Sequence, residues 1–412
     1  MDKALQRKEL IFIMKTKCPA IISVGRTEFG EHYEREPENL VEEAGLTALD
    51  SAKIERRDVD ACHFADYFLP ITNKLGLEEG FLSELLELNV PMEITRSFSS
   101  ALANACNAVL AGKYELMLVG GMEKMTDRWD KIRDDLVLLE DPWSYYAGCT
   151  PEANHELMLR AYIRKFGVAG EQLDILEKAL AGFSVRNHHK AMKNKYAQFH
   201  KEISVDTVMK ARAKARRPLG LFDFAPISDG ASALILTNSE LAESYTSKPV
   251  YILGYSLATD YITFPSRNNL TSFLATRLAM KDVLKTADIE LDDISVLELY
   301  DQSTMMGMVS LEDLGFCEKG KAWIDIYRSC QENEDYYELN GKRLFVNVNG
   351  GLKADGNPLG ATGGAEIFEV FQQLRHEAGE RQVKADGELR CGCVHELEGF
   401  GTKAYIYILG RN

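Results

Sequence analysis

Short apolar stretches alternate with longer stretches of helical periodicity along most of the chain. Residues 20–25 and 249–254 are apolar runs of strand length. Each run is followed by a polar loop, a helical stretch and an aspartate-rich turn that leads into another strand. Strands that alternate with helices are typical of α/β folds whose sheets are covered by helices. The pattern therefore predicts an α/β protein.

The same order of elements occurs twice. A Gly-containing turn runs into an apolar strand at residues 227–236, and a similar turn and strand occupy residues 397–409. Repetition in a constant order indicates an internal duplication. We expect four parts, which are an N-terminal extension, a first half in two pieces, an inserted segment and a second half, at residues 1–17, 18–125 plus 216–245, 126–215 and 246–412.

Composition and charge narrow the class of protein. Hydrophobic residues make up 45% and charged residues 27% of the 412 positions, as in ordinary globular proteins. No apolar run approaches the roughly 20 residues that a membrane-spanning helix needs. The net charge of −15 disfavours general binding to nucleic acid or to anionic membranes. We expect neither as a partner.

One segment reverses this acidic charge. Residues 186–217 contain ten Lys or Arg but only two acidic residues. A solvated helical face explains many such runs, whereas a site for a phosphate-bearing small ligand also fits the local change of sign. Both interpretations stay open from charge alone. The candidate cations are Arg186, Lys190, Arg212, Arg216 and Arg217.

The eight cysteines are spaced without any CxxC pair, so a zinc ribbon or a thioredoxin-type motif is not expected. We expect a reducing compartment and no metal cofactor. Residues 1–17 hold five basic and two acidic residues, which fits either a mitochondrial presequence remnant or a cytosolic extension. The expected location is the mitochondrial matrix or the cytoplasm, with the matrix preferred.

Three stretches are more specific than a generic α/β pattern. Residues 116–125 form a strand that ends in Gly-Gly-Met-Glu, after the small-residue helix at 99–105. Residues 297–303 read Leu-Glu-Leu-Tyr-Asp-Gln-Ser, and residues 347–363 form a Gly-rich turn containing Gly-Asn-Pro. Glycines at a strand-to-helix turn let the backbone approach a ligand, and the helix N-terminus favours an oxyanion. In this order, the motifs resemble the thiolase superfamily, most closely its sterol-carrier-protein thiolase branch.

The resemblance covers about residues 18–412 and implies a fold and a ligand. The fold is the thiolase fold, in which two βαβαβαββ halves build a layered αβαβα core with a loop domain inserted in the first half. The resemblance also implies a homodimer and a coenzyme A thioester held at its nucleotide end by the loop domain. The basic run falls within that insertion. We add Ser228 and Gly351, which lie in Gly-containing turns, to the expected CoA contacts.

Two residues that the family uses for catalysis are replaced. Counting back from Gly112 puts the family's nucleophilic cysteine at Thr95, and Cys106 lies further on as an expected core thiol. The histidine of the family's Gly-His-Pro motif is Asn357 here. Thr95 also fits a helix N-cap and Asn357 a turn residue. Because a threonine hydroxyl has no thiolate form, thiolysis through an acyl-cysteine is not expected.

The other family motifs are altered as well. The branch's His-Asp-Cys-Phe motif begins at Tyr300, and Gln302 stands at its cysteine. Glu396 aligns near the C-terminal cysteine of ordinary thiolases, and the preceding His395 matches the branch's His-Asn motif. Tyr300 also fits a core aromatic residue, and Glu396 with His395 a structural hydrogen bond near a dimer interface.

The replacements retain some chemistry. Tyr300 and Asn357 can both donate hydrogen bonds to a thioester oxyanion, and Glu396 can act as a base if burial raises its pKa. These groups suit enolate reactions of acyl-CoA thioesters in lipid metabolism, such as decarboxylation or retro-aldol cleavage. Thiolase-like aldolases of this kind work with an oligonucleotide-fold partner protein. The alternative is a catalytically silent protein or subunit that binds CoA thioesters.

Overall fold

The strands of the protein are assigned in a computed structural model that describes residues 18–128, 130–332, 335–385 and 389–411. The expected extension at 1–17 lies outside the described residues. The described strands are β1 (Pro19–Arg26), β2 (Ala61–Ala65), β3 (Met92–Thr95), β4 (Leu116–Lys124), β5 (Asp229–Asn238), β6 (Val250–Thr259), β7 (Ile294–Leu299), β8 (Tyr337–Leu339), β9 (Lys342–Val346), β10 (Cys391–Glu398) and β11 (Lys403–Gly410).

The α-helices in the same ranges vary from a single turn to 21 residues. They are α1 (Pro37–Ala52), α2 (Leu69–Thr72), α3 (Glu78–Leu86), α4 (Phe98–Leu110), α5 (Ile132–Asp135), α6 (Pro142–Tyr146), α7 (Pro151–Phe166), α8 (Glu171–Ala191), α9 (Val205–Ala215), α10 (Ser239–Tyr245), α11 (Leu274–Ala287), α12 (Thr304–Asp313), α13 (Ala322–Glu332), α14 (Gly351–Ala354) and α15 (Leu359–Arg375).

The two halves of the chain repeat one strand order. Across the sheet the order is β3-β2-β4-β5-β1-β6-β11-β10-β7-β9-β8. In the first half, β2 is parallel to β3 and β4, whereas β5 is antiparallel to β4 and β1. In the second half, β7 is parallel to β9 and β10, whereas β11 is antiparallel to β10 and β6. This mirror arrangement confirms the predicted duplicated α/β fold.

The halves meet where β1 pairs with β6, at Ala20↔Tyr251 and Ile21↔Val250. Helices α4 and α15 contact each other, and α15 packs on strands of both halves. Helix α1 packs on β1, β4 and β5, while α11 packs on β6 and β11. The result is the predicted order of helix, sheet, helix, sheet and helix layers. This arrangement places the N-termini of the two central helices, α4 and α15, against β10.

The connection from β4 to β5 contains helices α5 to α9 and no strand within the described residues. Met158 of α7 and Phe183 of α8 belong to the same apolar core as Met305 and Val309 of α12. One side of α8 is therefore buried against the second half. The division of this segment at 126–215 as a separate domain stays a prediction. Across the described ranges, no helix has the length and apolarity needed to cross a membrane.

Candidate functional site

Glu396 lies on the inner face of β10, which the central helices cover. Successive side chains of a strand point to opposite faces, so Glu396 and His395 separate. The Glu396 side chain is 1% exposed, and its Oε2 accepts the backbone N–H of Ser99 in the first turn of α4 at 2.9 Å. It also lies against α15, because a Cβ atom built on Gly363 would come within 2.3 Å of Oε2.

Tyr300 lies beside Glu396 at the end of β7. Strands β7 and β10 are parallel with Leu299 opposite His395, and the Tyr300 N–H donates to the His395 carbonyl at 2.9 Å. Tyr300 follows Leu299, and Glu396 follows His395. The two side chains therefore lie on the same inner face. The Tyr300 ring is 4% exposed, and burial together with the charge of Glu396 raises the pKa of its phenol.

Asn357 precedes α15 and completes this cluster. Its amide hydrogen-bonds the Tyr300 phenol. This hydrogen bond lowers the pKa of the phenol, but burial raises that pKa by more. Its Oδ1 accepts the Thr362 hydroxyl at 2.8 Å, which leaves the amide NH2 as the donor toward Tyr300. Ser228 holds the turn, because its Oγ accepts the Asn357 N–H at 2.9 Å. The side chain is therefore oriented by two neighbours.

The cluster contains one acid whose proton affinity suits work near neutral pH. Burial raises the pKa of Glu396 to about 7, although the Ser99 N–H favours the ionised form. A base of this strength beside two hydrogen-bond donors can move a proton while the donors stabilise an oxyanion. We call Tyr300, Asn357 and Glu396 the inner cluster.

Tyr67 is a further member of the site that the sequence did not indicate. It lies between β2 and α2 and is half-buried. Burial and the charges of Glu398, Glu396 and Tyr300 raise the pKa of its phenol, which places that phenol near the inner cluster. It belongs to none of the three recognisable motifs, so only the folded chain reveals it.

Thr95 is the last residue of β3 and is outside the inner cluster. Its hydroxyl donates to the Ser97 carbonyl at 3.2 Å and to the Phe64 carbonyl at 3.4 Å. The alternative interpretation of Thr95 as a helix N-cap is wrong, because Ser97 caps α4 and accepts the Ser100 N–H at 3.3 Å. The Thr95 hydroxyl is occupied by backbone carbonyls of its own turn and of β2.

His395 and Gln302 are also separate from the inner cluster. His395 points to the outer face of β10, where its Nε2 lies 3.0 Å from the Thr276 hydroxyl of α11. Complete burial lowers the pKa of His395 to about 3, so it stays neutral. His395 and Glu396 therefore do not share a hydrogen bond. The Gln302 carbonyl accepts the Ala225 N–H at 2.8 Å in the partly exposed turn before α12.

Three of the basic residues expected to meet CoA are directed into the protein. Arg186 is 4% exposed, and its guanidinium carbon lies 4.1 Å from the centroid of the Tyr337 ring.

 Lys190 is buried and donates to the Val346 carbonyl, and burial lowers its pKa to about 7. Arg212 makes two hydrogen bonds to the Asp223 carboxylate, at 2.8 and 2.6 Å. These side chains are occupied inside the fold, so they do not form a phosphate-binding surface.

The remaining expected CoA contacts are divided between the surface and the interior. Arg216 and Arg217 are exposed just after α9, and Arg217 lies 3.4 Å from the Glu156 carboxylate. Ser228 is buried and positions Asn357, as described above. Gly351 is buried with φ +59, and a Cβ atom there would come within 2.5 Å of the Asn347 amide nitrogen. Gly351 is therefore required by close packing.

The cysteines do not provide an activated thiol near the inner cluster. For seven of them in the described ranges, burial is the largest influence and raises the thiol pKa. Cys106 is one of these and lies fully buried in α4, as the sequence predicted. Within the part of the chain that the structure describes, no group of three or more His, Cys, Asp or Glu side chains could hold a metal ion.

The fold and the inner cluster define a duplicated α/β protein with an acid and two hydrogen-bond donors at the ends of its central helices. Residues 19–240 match the family model for the thiolase N-terminal domain, and residues 256–411 match the thiolase C-terminal domain-like model. The chain therefore belongs to the thiolase superfamily.

Two curated relatives extend this comparison. The chain is 33% identical over 401 residues to the acetyl-CoA acetyltransferase of Methanothermobacter thermautotrophicus, covering 95% of this chain and 99% of the relative. It is 29% identical over 411 residues to sterol carrier protein 2 of Oryctolagus cuniculus, covering 94% of this chain and 70% of the relative. The relatives thus include both an acetyltransferase and a sterol carrier protein.

Solved structures share the fold at low sequence identity. The Ltp2-ChsH2(DUF35) aldolase superposes with a TM-score of 0.77 at 21% identity, covering 96% of this chain and 98% of that chain. Human mitochondrial 3-ketoacyl-CoA thiolase superposes with a TM-score of 0.69 at 16% identity, covering 96% and 99%. One of these neighbours is an aldolase and the other a thiolase.

Proposed function

We propose that this chain binds acyl-CoA thioesters and cleaves a carbon–carbon bond through a thioester enolate, without a cysteine nucleophile. The observation that carries the proposal is Glu396, a buried carboxyl with a pKa of about 7 beside the Tyr300 and Asn357 donors. Retro-aldol cleavage of a β-hydroxyacyl thioester and decarboxylation of a malonyl-type thioester both require this combination. The name of the aldolase neighbour supports the first of them.

Each member of the inner cluster has a defined role in this proposal. In retro-aldol cleavage, Glu396 takes the proton of the β-hydroxyl group, and the O–H electrons form the carbonyl of the departing aldehyde. The broken Cα–Cβ bond leaves its electron pair on the thioester as an enolate. Tyr300 and Asn357 donate hydrogen bonds to the enolate oxygen, and Glu396 returns the proton to Cα. In decarboxylation, carbon dioxide leaves and the protonated Glu396 supplies the proton.

The expected partners remain proposals. Arg216 and Arg217 are the exposed members of the basic set, and they would meet the phosphates of CoA. The aldolase neighbour joins Ltp2 to ChsH2(DUF35), which supports a search for a second protein that assembles with this chain. The homodimer and the mitochondrial or cytoplasmic location that the sequence suggested stay predictions.

A specific observation favours the catalytically silent alternative. Tyr300 and Asn357 are only 4% and 5% exposed, so both donors are almost covered by protein. A CoA thioester could then bind at the surface without reaching them. This candidate is a CoA-thioester-binding protein or subunit.

One experiment separates the two functions. The purified chain is incubated with malonyl-CoA, with a β-hydroxyacyl-CoA, and with acetoacetyl-CoA plus CoA, and the CoA species and the intact protein are measured by mass spectrometry. Acetyl-CoA formed from either of the first two, without a protein adduct and lost in Glu396→Gln, supports the enolate enzyme. CoA binding without any product supports the silent protein and ends the enzymatic proposal.

A further inference from the structure

Tyr67 belongs to the site, but the mechanism above gives it no role. The residue follows β2 directly after Asp66, and its side chain is half-buried. Its hydroxyl forms no hydrogen bond with another residue in the described part of the chain. A hydroxyl in a largely covered position loses its hydrogen bonding unless water or a ligand supplies it. Tyr67 therefore presents a donor that the oxygen of a ligand can pair.

The tyrosines around it differ in this respect. Tyr405 donates its hydroxyl to Oε1 of Glu398 at 3.0 Å. Tyr407 donates its hydroxyl to the Ser99 carbonyl at 2.5 Å. A tyrosine whose role is to fill a protein interior usually has such a partner. Tyr67 lacks one, so packing alone does not account for its hydroxyl.

The Tyr67 ring lies beside the turn that carries Asn357. Tyr67 and Ile227 both pack against the small apolar cluster that contains Leu359. Leu359 follows Asn357 by two residues, and Ile227 precedes Ser228, which accepts the Asn357 N–H. The residues on both sides of this turn are thus in the same packing unit as the Tyr67 ring.

The same packing unit reaches the end of β10. Leu139 packs against this cluster, and a Cβ atom built on Gly399 would come within 2.2 Å of the Leu139 carbonyl oxygen. Gly399 follows Glu398, which ends β10 two residues after Glu396 and shares its inner face. The Tyr67 phenol accordingly feels the charges of both acids. It lies between the turn before α15 and the base of the inner cluster.

The backbone fixes Tyr67 relative to α15. Its N–H donates to Oε2 of Glu123 at 3.3 Å, and the Gly360 N–H donates to the same oxygen at 3.2 Å. The preceding residue, Asp66, accepts the Phe68 N–H at 2.7 Å. One buried carboxyl therefore joins the loop of Tyr67 to the first turn of α15. A donor held in this way binds a ligand without first being ordered.

We propose that the Tyr67 hydroxyl binds the β-oxygen of a β-hydroxyacyl thioester and is a catalytic residue of its retro-aldol cleavage. Glu396 takes the β-hydroxyl proton, the O–H electron pair forms the new carbonyl group, and the Cα–Cβ bond breaks. Tyr67 donates a hydrogen bond to this oxygen and keeps its own proton. Because the oxygen gains negative charge as its proton leaves, the hydrogen bond strengthens toward the transition state. The inference rests on the proposed function and narrows its substrates to thioesters with a β-hydroxyl group.

The test compares two thioesters that differ by one hydroxyl group, β-hydroxybutyryl-CoA and butyryl-CoA. Isothermal titration calorimetry measures the affinity of both for Glu396→Gln, which cannot take the proton and so prevents turnover. We expect the hydroxyl group to improve the affinity by about threefold to tenfold, the value of one hydrogen bond. In Glu396→Gln with Tyr67→Phe, which keeps the ring and its packing, the two affinities should be equal.

Tyr405→Phe in the same Glu396→Gln background is the matched control. It removes a neighbouring hydroxyl that Glu398 already occupies, so the preference for β-hydroxybutyryl-CoA should remain. A second measurement replaces Tyr67 by fluorotyrosine and follows the fluorine NMR signal. The signal should shift more with β-hydroxybutyryl-CoA than with butyryl-CoA, and this result decides if Tyr67→Phe does not fold.

The inference is overturned if the preference persists in Tyr67→Phe, if no preference exists with Tyr67 present, or if the two fluorine shifts are equal. If neither thioester binds, the proposed function fails and the inference fails with it. If a preference that depends on Tyr67 occurs without turnover in the unaltered chain, the contact with the β-oxygen stands and the catalytic role falls. Where turnover is found, Tyr67→Phe should lower kcat for the β-hydroxyacyl thioester by about 10²-fold.

Discussion

Glu123 and Glu396 occupy equivalent strands of the two halves, β4 and β10, and both are buried. Glu123 accepts the backbone N–H groups of Tyr67, Phe68 and Gly360, at 3.3, 3.1 and 3.2 Å. Its carboxyl also hydrogen-bonds Asp66. Glu396 accepts the Ser99 N–H at 2.9 Å, has further hydrogen bonds with the Ser99 side chain and the Gly363 backbone, and lies beside Tyr300.

The difference separates a structural carboxyl from one that can exchange a proton. Glu123 ties the loop after β2 to the start of α15, and its hydrogen-bonding capacity is used. Burial raises the pKa of Glu396 to about 7. Both halves thus carry a buried acid on equivalent strands, and the two acids differ in their hydrogen-bond partners.

The largest expected effect concerns turnover. Glu396→Gln should lower kcat of the enolate reaction by about 10²–10⁴, the usual contribution of a general acid–base group. Glu123→Gln, the matched buried acid of the other half, should lower it far less. Rates of acetyl-CoA formation measure both variants. Equal losses in the two would show that the contrast between the acids does not concern catalysis.

The two donors of the inner cluster come next. Tyr300→Phe and Asn357→Ala should each lower kcat by about 10²–10³, because each removes a hydrogen bond to the enolate oxygen. Since the Asn357 amide also holds the Tyr300 phenol, the double variant should lose less than the product of the single losses. Unchanged turnover in both single variants would refute the assignment of the oxyanion donors.

Stability should show the opposite ranking of the two acids. Glu123→Ala leaves three backbone N–H groups without their acceptor and should lower the free energy of unfolding by about 3 kcal/mol or more, at 1–3 kcal/mol for each group. Glu396→Ala removes the acceptor of the Ser99 N–H and should cost about 1–3 kcal/mol. Urea denaturation measures both. A larger loss in Glu396→Ala would contradict the structural role of Glu123.

The pH dependence of stability isolates Glu396. Its pKa is raised from 4.5 to about 7 in the folded chain, so the folded state holds a proton that the unfolded state has lost between these values. The stabilisation is complete below about pH 4.5 and is lost as the pH rises through about 7, by about 3 kcal/mol in total. Glu396→Gln should therefore flatten the decline of unfolding free energy across this window. An identical slope in the variant would show that Glu396 is not a perturbed acid.

Much of the fold was predictable from the sequence because strand and helix periodicities and Gly-rich turns are local signals. The repeated turns at 227–236 and 397–409 indicated the duplication, and the structure shows equivalent strands there. The pairing of β1 with β6 was not predictable, since it involves only two residue pairs more than 200 positions apart.

The positions of the candidate residues were predictable where a motif fixes them, whereas the burial of each side chain was not. Tyr300, Asn357 and Glu396 were found by counting along motifs, and the parallel register of β7 and β10 brings them together. Arg186 and Lys190 were misjudged as ligand contacts, because charge in a sequence does not reveal which side of α8 is covered. Tyr67 has its place only through contacts between distant segments.

The smallest expected effect extends the contrast between occupied and available groups to the basic segment. Arg212 is fully paired with Asp223 inside the fold, whereas Arg216 and Arg217 are exposed. Arg216→Glu with Arg217→Glu should weaken CoA binding by about twofold to tenfold, as expected for exposed ion pairs, and raising salt should reduce the difference. Isothermal titration calorimetry measures the affinity, with Lys281→Glu on the exposed side of α11 as the control.

Arg212→Met should instead lower stability by about 3–5 kcal/mol, because the Asp223 carboxylate loses its buried partner. Unchanged CoA affinity in the double variant would show that Arg216 and Arg217 do not contact CoA. The buried basic residues of this segment, such as Arg212, would then have a structural role alone.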